Sequence, residues 1–159
     1  VMELPFNFNG LVMLESEKFS SEVYGHHYAK MWEQLAEQDR ATTLAGLCAP
    51  LLALRTASMA LSGTDLSQQR YFADASERHR MEFMRVLNED LMYKAKPGDH
   101  NYRVGRELWE QLPAFQLAPR EWESVWGEVS TAFWILCGWF ACSFGWMWLT
   151  ARRMRLEVA

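Results

Sequence analysis

From Thr131 to Ala151 the chain runs for 21 residues, TAFWILCGWFACSFGWMWLTA, without one acidic or basic side chain. A helix of that length measures roughly 31 Å, close to the roughly 30 Å of a bilayer's hydrocarbon core. A soluble core helix seldom stays uncharged for so long, so the segment predicts a membrane span. The flanks agree. Trp122 and Trp126 precede it, Trp146 and Trp148 lie near its far end, and Arg152, Arg153 and Arg155 follow at once. Tryptophans at both borders and arginines at one are the usual interfacial anchors.

The arginines also orient the span. Its N-terminal flank carries Glu121, Glu123 and Glu128 against Arg120 alone, so the positive-inside bias places residues 152–159 in the cytoplasm and residues 1–129 outside. A single C-terminal span would ordinarily leave the preceding domain in the cytosol. The chain is therefore expected to be the C-terminal portion of a longer polytopic protein whose earlier spans deliver residues 1–129 outward. Gly138, Ala141, Cys142 and Gly145 fall on one helix face and would let a neighbouring helix approach closely.

Upstream of the span the pattern is helical. Half of all residues are hydrophobic, yet mean hydropathy is −0.22, because the apolar content gathers at the end. Residues 1–10, with Pro5 and Gly10, read as an extended lead-in, and a long helix follows from about Leu11 to Ala49. Pro50 either kinks it or opens the next helix, "PLLALRTASMALSG", which reads as short and well buried. Gly63 suits that helix's end, and Thr64 or Asp65 suits the N-cap of another running from about 65 to 95. "KPGD" stops it, and residues 99–119 read as loop with one short helix near "GRELWEQL". No strand-like alternation of useful length occurs. The expected fold is all-α: an extracytoplasmic helical domain over 1–129, a transmembrane helix over 130–151 and a basic cytoplasmic tail over 152–159.

Several chemistries are disfavoured by what the chain carries. Net charge is −4 and no basic run exists, so there is no footprint for nucleic acid. Neither G-x-S-x-G, H-E-x-x-H nor a phosphate-cradling glycine loop is present, and "ERHR", Glu77 to Arg80, reads as a solvated helix face with local ion pairs. The chain is not expected to be an enzyme or to hold a cofactor. Adjacent His26 and His27 point about 100° apart on a helix and do not share a metal easily, and Met81 is out of phase with His79. The most distinctive polar cluster is "SGTDLSQQRY", where Asp65, Gln68 and Gln69 share one side of a helix start. With His79 on the same helix they form a candidate polar patch, for docking or for capping and interhelix hydrogen bonds. His79 itself shares a stripe with Phe72, Phe83 and Val86.

"LCAPLLALRTASMALSGTDLSQQRYFADASERHRMEFMRVLNEDLM", followed by "GRELWEQLPAF" and a terminal span ending in arginines, resembles the C-terminal part of bacterial ABC-2-type transporter permeases. The group it is most similar to carries the domain of unknown function 3526 and the label of multicopper-enzyme-maturation-type permeases. The resemblance covers roughly residues 11–159. It implies a permease subunit in the bacterial inner membrane, with a separate cytoplasmic ATP-binding subunit and a second permease subunit as partners, and membrane lipid as its solvent. In that pattern the positions of Gln68 and Gln69 are commonly histidine, and glutamine cannot replace a metal- or proton-handling histidine. The alternative reading is a single-span membrane-anchored interaction domain or a metal-handling accessory domain.

Overall fold

The computed structural model describes residues 6–96, 99 and 101–157, with side chains through residue 154. Five helices follow in order: α1 Phe8–Ala45, α2 Pro50–Ser62, α3 Leu66–Lys94, α4 Arg106–Gln111 and α5 Trp122–Glu157. Among the described residues there is no strand, so the all-α expectation holds. The chain divides into two compact units, Val1–Trp32 with Arg70–Ala118, and Glu33–Gln69 with Pro119–Ala159.

In the first unit α1 and α3 run antiparallel, with partners in reverse order along the two helices. The Arg80 guanidinium donates to Glu17 at 2.8 Å, and the Ser21 hydroxyl donates to Glu77 at 3.0 Å. The "ERHR" run is the expected solvated face, since Arg80 also donates to Glu77 three residues back.

The lead-in reading of residues 1–10 needs correction. Residues 1–5 lie outside the described residues, and α1 already starts at Phe8. Asn7 explains the early start. Its Oδ1 accepts the amide N–H of Asn9 at 3.0 Å, which caps the helix, while its own amide N–H donates to the Met92 carbonyl at 2.7 Å and its Nδ2 to the Lys96 carbonyl at 3.1 Å. The start of α1 is thereby clamped to the end of α3, and Asn7 is buried with every group used.

Gly10 makes the close approach possible. A Cβ at that position would stand 2.6 Å from the backbone nitrogen of Met92. Gly10→Ala gains at most about 1 kcal/mol of helix propensity, whereas overpacking against backbone costs roughly 1–3 kcal/mol. The substitution is therefore expected to lower the melting temperature of the detergent-solubilised chain. An unchanged or higher melting temperature would show that α3 yields freely there.

The rest of this unit is laid along α3. Phe72 and His79 both pack on Phe115, at ring separations of 5.8 and 5.4 Å, and Phe83 packs on Trp109 of α4 at 5.7 Å. The Tyr71 hydroxyl donates to the Ala118 carbonyl at 3.1 Å.

At the far end of α3 the Asp90 side chain is only 4% exposed, accepting from the Tyr102 hydroxyl and paired with Lys94. Burial pushes the Asp90 carboxyl up, but the bonds from Lys94 and Tyr102 outweigh it and hold it below its ordinary range. The Tyr102 phenol is pushed up to about 12, first by Asp90 and then by burial. A depressed carboxyl stabilises the fold above its unfolded pKa and loses that contribution as pH falls through the folded value. A raised phenol stabilises it below its unfolded pKa and loses that as pH rises through about 12. Tyr102→Phe leaves a buried carboxylate short of a donor, at a cost of about 1–3 kcal/mol. Thermal melts should show the loss at pH 7 and a smaller one in acid, where Asp90 is protonated; equal losses at both pH values would contradict the linkage.

In the second unit α2 packs against the first half of α5. Ala53, Ala57 and Ala60 bury their face on Val129 and Ala132, flanked by Val125, Ile135 and Leu136. Small residues at these spacings bring the two helices close. Pro50 opens α2 in its first turn, resolving the choice between kink and start, and Gly63 closes it at φ 66°, a left-handed conformation suited to glycine. The Thr64 amide N–H donates back to the Met59 carbonyl at 2.9 Å, completing the cap. The expectation that α2 is well buried holds only for its alanine face. Leu51 is 73% exposed, and Leu54 and Leu61 are also exposed, because α5 covers the alanine side of α2 and among the described residues these leucines stay open.

Candidate functional site

The second unit brings three charged side chains together at the N-terminal end of α5. Arg120 lies just before the helix and Glu128 two turns into it, so both reach the same side, where Asp65 stands at the corner between α2 and α3. The Arg120 guanidinium donates through Nη2 to Glu128 Oε1 at 2.6 Å and to the Ser124 hydroxyl at 2.9 Å, while Nη1 faces Asp65 Oδ2 at 3.6 Å. Side-chain exposure is 10% for Arg120, 14% for Asp65 and 34% for Glu128. A guanidinium fork suits two carboxylates where an ammonium would not.

One cation between two carboxylates leaves a negative charge over. Asp65 Oδ1 and Glu128 Oε2 are both buried without a hydrogen-bond partner among the described residues. Burial pushes the Asp65 carboxyl above its ordinary range, and the neighbouring Glu128 carboxyl adds to the rise against the opposing pull of Arg120. The arrangement binds a proton more readily than a free carboxylate would, and it can hold the N-terminal end of α5 to the α2–α3 corner. It opens on a groove of about 670 Å³ of mixed lining, with Asp39, Arg40, Arg55, Asp65 and Glu128 beside Leu44, Met59 and Leu66. The groove lining contains neither histidine nor cysteine.

The candidate residues fall as follows. Asp65 occupies the N-cap position of α3, but its carboxylate turns to Arg120. Gln68 is half-buried and Gln69 exposed in the same unit, whereas His79 belongs to the first unit and packs between Phe83 and Phe115. His26 and His27 are exposed on α1, and no cluster of three metal-ligating side chains occurs among the described residues.

The tryptophans expected as interface anchors all lie on α5. Trp122 stacks on Trp126 at 6.4 Å, Trp146 is exposed, and the Arg152 guanidinium lies 3.9 Å from the centre of the Trp148 ring. Arg153 is exposed, and the side chain of Arg155 lies outside the described residues. The stripe of Gly138, Ala141, Cys142 and Gly145 is largely open, and a Cβ at Gly138 or Gly145 would meet nothing within 4 Å. Trp122–Met154 is long and apolar enough to cross a membrane, and only 6% of its most apolar window is buried within the chain.

Arg120 and Glu128 entered the sequence reading only as flank charges, and Asn7 and Asp90 not at all. The spacing of eight between Arg120 and Glu128 was the one available signal for the cluster. Among curated proteins and among solved structures nothing matches the chain. A family model described as "Domain of unknown function (DUF3526)" matches residues 1–118, ending before α5. That stretch is well over half of the sequence, and the chain belongs to the DUF3526 family.

Proposed function

We propose that the chain contributes an outer helical domain and a membrane span to a permease subunit of a bacterial ABC transport system. α5 crosses the inner membrane with residues 152–159 in the cytoplasm, and residues 1–129 stand on the periplasmic side. ATP is hydrolysed by a separate cytoplasmic subunit, and a second permease subunit, identical or different, completes the pathway. The observation that carries this reading is the bareness of α5, whose most apolar window is almost entirely uncovered by the rest of the chain. Lipid and neighbouring spans are the surroundings in which such a surface is stable.

Within this reading the Arg120–Asp65–Glu128 cluster ties the outer end of α5 to the α2–α3 corner, so a displacement of the span is passed to the helices beside it. The chain carries no group for nucleotide chemistry; its part is mechanical.

Affinity purification of the native polypeptide in mild detergent tests the assignment. The expected result is co-purification of an ATP-binding subunit and ATPase activity that is lost when that subunit is removed. Recovery of a single-span polypeptide with no nucleotide-binding partner would overturn it in favour of an anchored interaction domain, and stoichiometric metal in that preparation would point to an accessory domain for metal handling.

A further inference from the structure

The second unit carries a second apolar surface beside α5. Between Arg40 and Arg55 the sequence ATTLAGLCAPLLAL, Ala41 to Leu54, holds no charge. It forms the end of α1, the turn and the start of α2. Leu44, Leu47, Leu51 and Leu54 are all more than half exposed. Besides the alanine packing of α2 on α5, one bond marks the position of this tip along α5: the Trp139 indole N–H donates to the Gly46 carbonyl at 3.2 Å. Trp139 lies eight residues beyond Thr131, about 12 Å into the span.

We propose that the α1–α2 tip, Ala41–Leu54, is a membrane-dipping hairpin whose leucines contact the acyl chains of the outer leaflet beside α5. The inference rests on α5 being a span. Its own support is chemical. Backbone at membrane depth must satisfy its polar groups internally. Here the amide N–H groups of Gly46, Leu47, Cys48 and Ala49 all donate to carbonyls of Thr43, Leu44 and Ala45, and Pro50 has none to donate. The hydroxyls are accounted for as well. Thr42, Thr43 and Thr56 each donate to the carbonyl four residues back, at 2.9 to 3.1 Å, as threonines in membrane helices do.

The charges stop where the headgroups begin. Arg40 and Arg55 bracket the apolar run and line the groove with Asp39, and long arginine side chains carry their guanidinium toward phosphate while their stems remain in apolar surroundings. A tip built for water would not place four bare leucines around a turn whose amide N–H groups from Gly46 to Ala49 are already bonded within the chain. The tip would enter only the outer half of a bilayer about 30 Å thick.

Depth-resolved labelling of the full chain in phosphatidylcholine–phosphatidylglycerol nanodiscs tests the proposal. A spin label is placed on native Cys48 in a Cys137→Ala, Cys142→Ala background, and on Leu51→Cys with Cys48→Ala added. Reference labels sit at Phe140→Cys, on the lipid-facing side of α5, and at Glu37→Cys on α1. The expected result is that labels at 48 and 51 collide with oxygen as the label at 140 does, and collide several-fold less with a water-soluble nickel complex than the label at 37. Labels at 48 and 51 open to the nickel complex while 140 remains in lipid would overturn the hairpin and leave the span standing. A label at 140 open to water would remove the span and the hairpin with it. Labels at 48 and 51 shielded from both reagents would mean that protein covers the leucines, which also overturns the proposal.

Discussion

Replacing Arg120 by alanine is expected to destabilise the chain by about 3 kcal/mol, measured as thermal or denaturant unfolding of the detergent-solubilised protein at pH 7. Removing one partner of a buried ion pair leaves the other charge uncompensated, at a cost of about 3–5 kcal/mol, and the lower end applies because Glu128 retains access to solvent. Here two carboxylates are left facing each other. One of them takes up a proton, and the deficit should shrink as pH falls. The direction follows from Asp65: its carboxyl is already raised by burial and by Glu128, so the folded state binds the proton more readily than the unfolded chain and gains stability as pH drops. Arg120→Lys keeps the charge but replaces two separate donor nitrogens in a planar fork with one compact ammonium, and should fall between wild type and alanine. Adding Asp65→Asn to Arg120→Ala should recover part of the loss, because it removes the excess negative charge. An alanine variant as stable as wild type at pH 7 would show that the cluster is ornamental.

The second large effect is expected at Phe140, in the middle of the uncharged run and 75% exposed. On a soluble surface, Phe140→Asp would be harmless and would improve solubility. In lipid, an aspartate at the centre of a span costs about 3 kcal/mol on insertion scales, and the lost phenylalanine adds a few tenths more. That corresponds to a fall of roughly 250-fold in the insertion equilibrium. The fraction of chain that resists extraction by alkaline carbonate should drop accordingly, while Phe140→Leu leaves it unchanged. Full retention of the aspartate variant would place this face against protein or in a water-filled path.

The helices were legible because their punctuation is local. Pro50 and Gly63 act through their own backbone preferences, and the start and end of α2 that they predict agree with those of the fold. The start of α1 was missed for the opposite reason. Asn7 caps it while bonded to Met92 and Lys96, partners more than eighty residues away that no window around Asn7 contains. α2 was misread through a question of solvent. Its alanines and leucines are all apolar, and hydropathy alone cannot tell a face packed on protein from one left bare beside it. Arg120 shows the limit most clearly: counted as one flank charge among several, it is instead spent on Asp65, fifty-five positions earlier, and on Glu128. What spacing alone could offer was its two-turn distance from Glu128.

The most direct test of the account is the sidedness of α5. Single cysteines at Glu22 and at Met154, in a background with the native cysteines replaced, can be probed with a membrane-impermeant thiol reagent on intact spheroplasts. Labelling at 22 from outside, and at 154 only after the membrane is opened, is the result predicted for a helix that carries its arginines into the cytoplasm. Equal labelling of both positions on intact spheroplasts, or recovery of the whole chain in the soluble fraction, would contradict it.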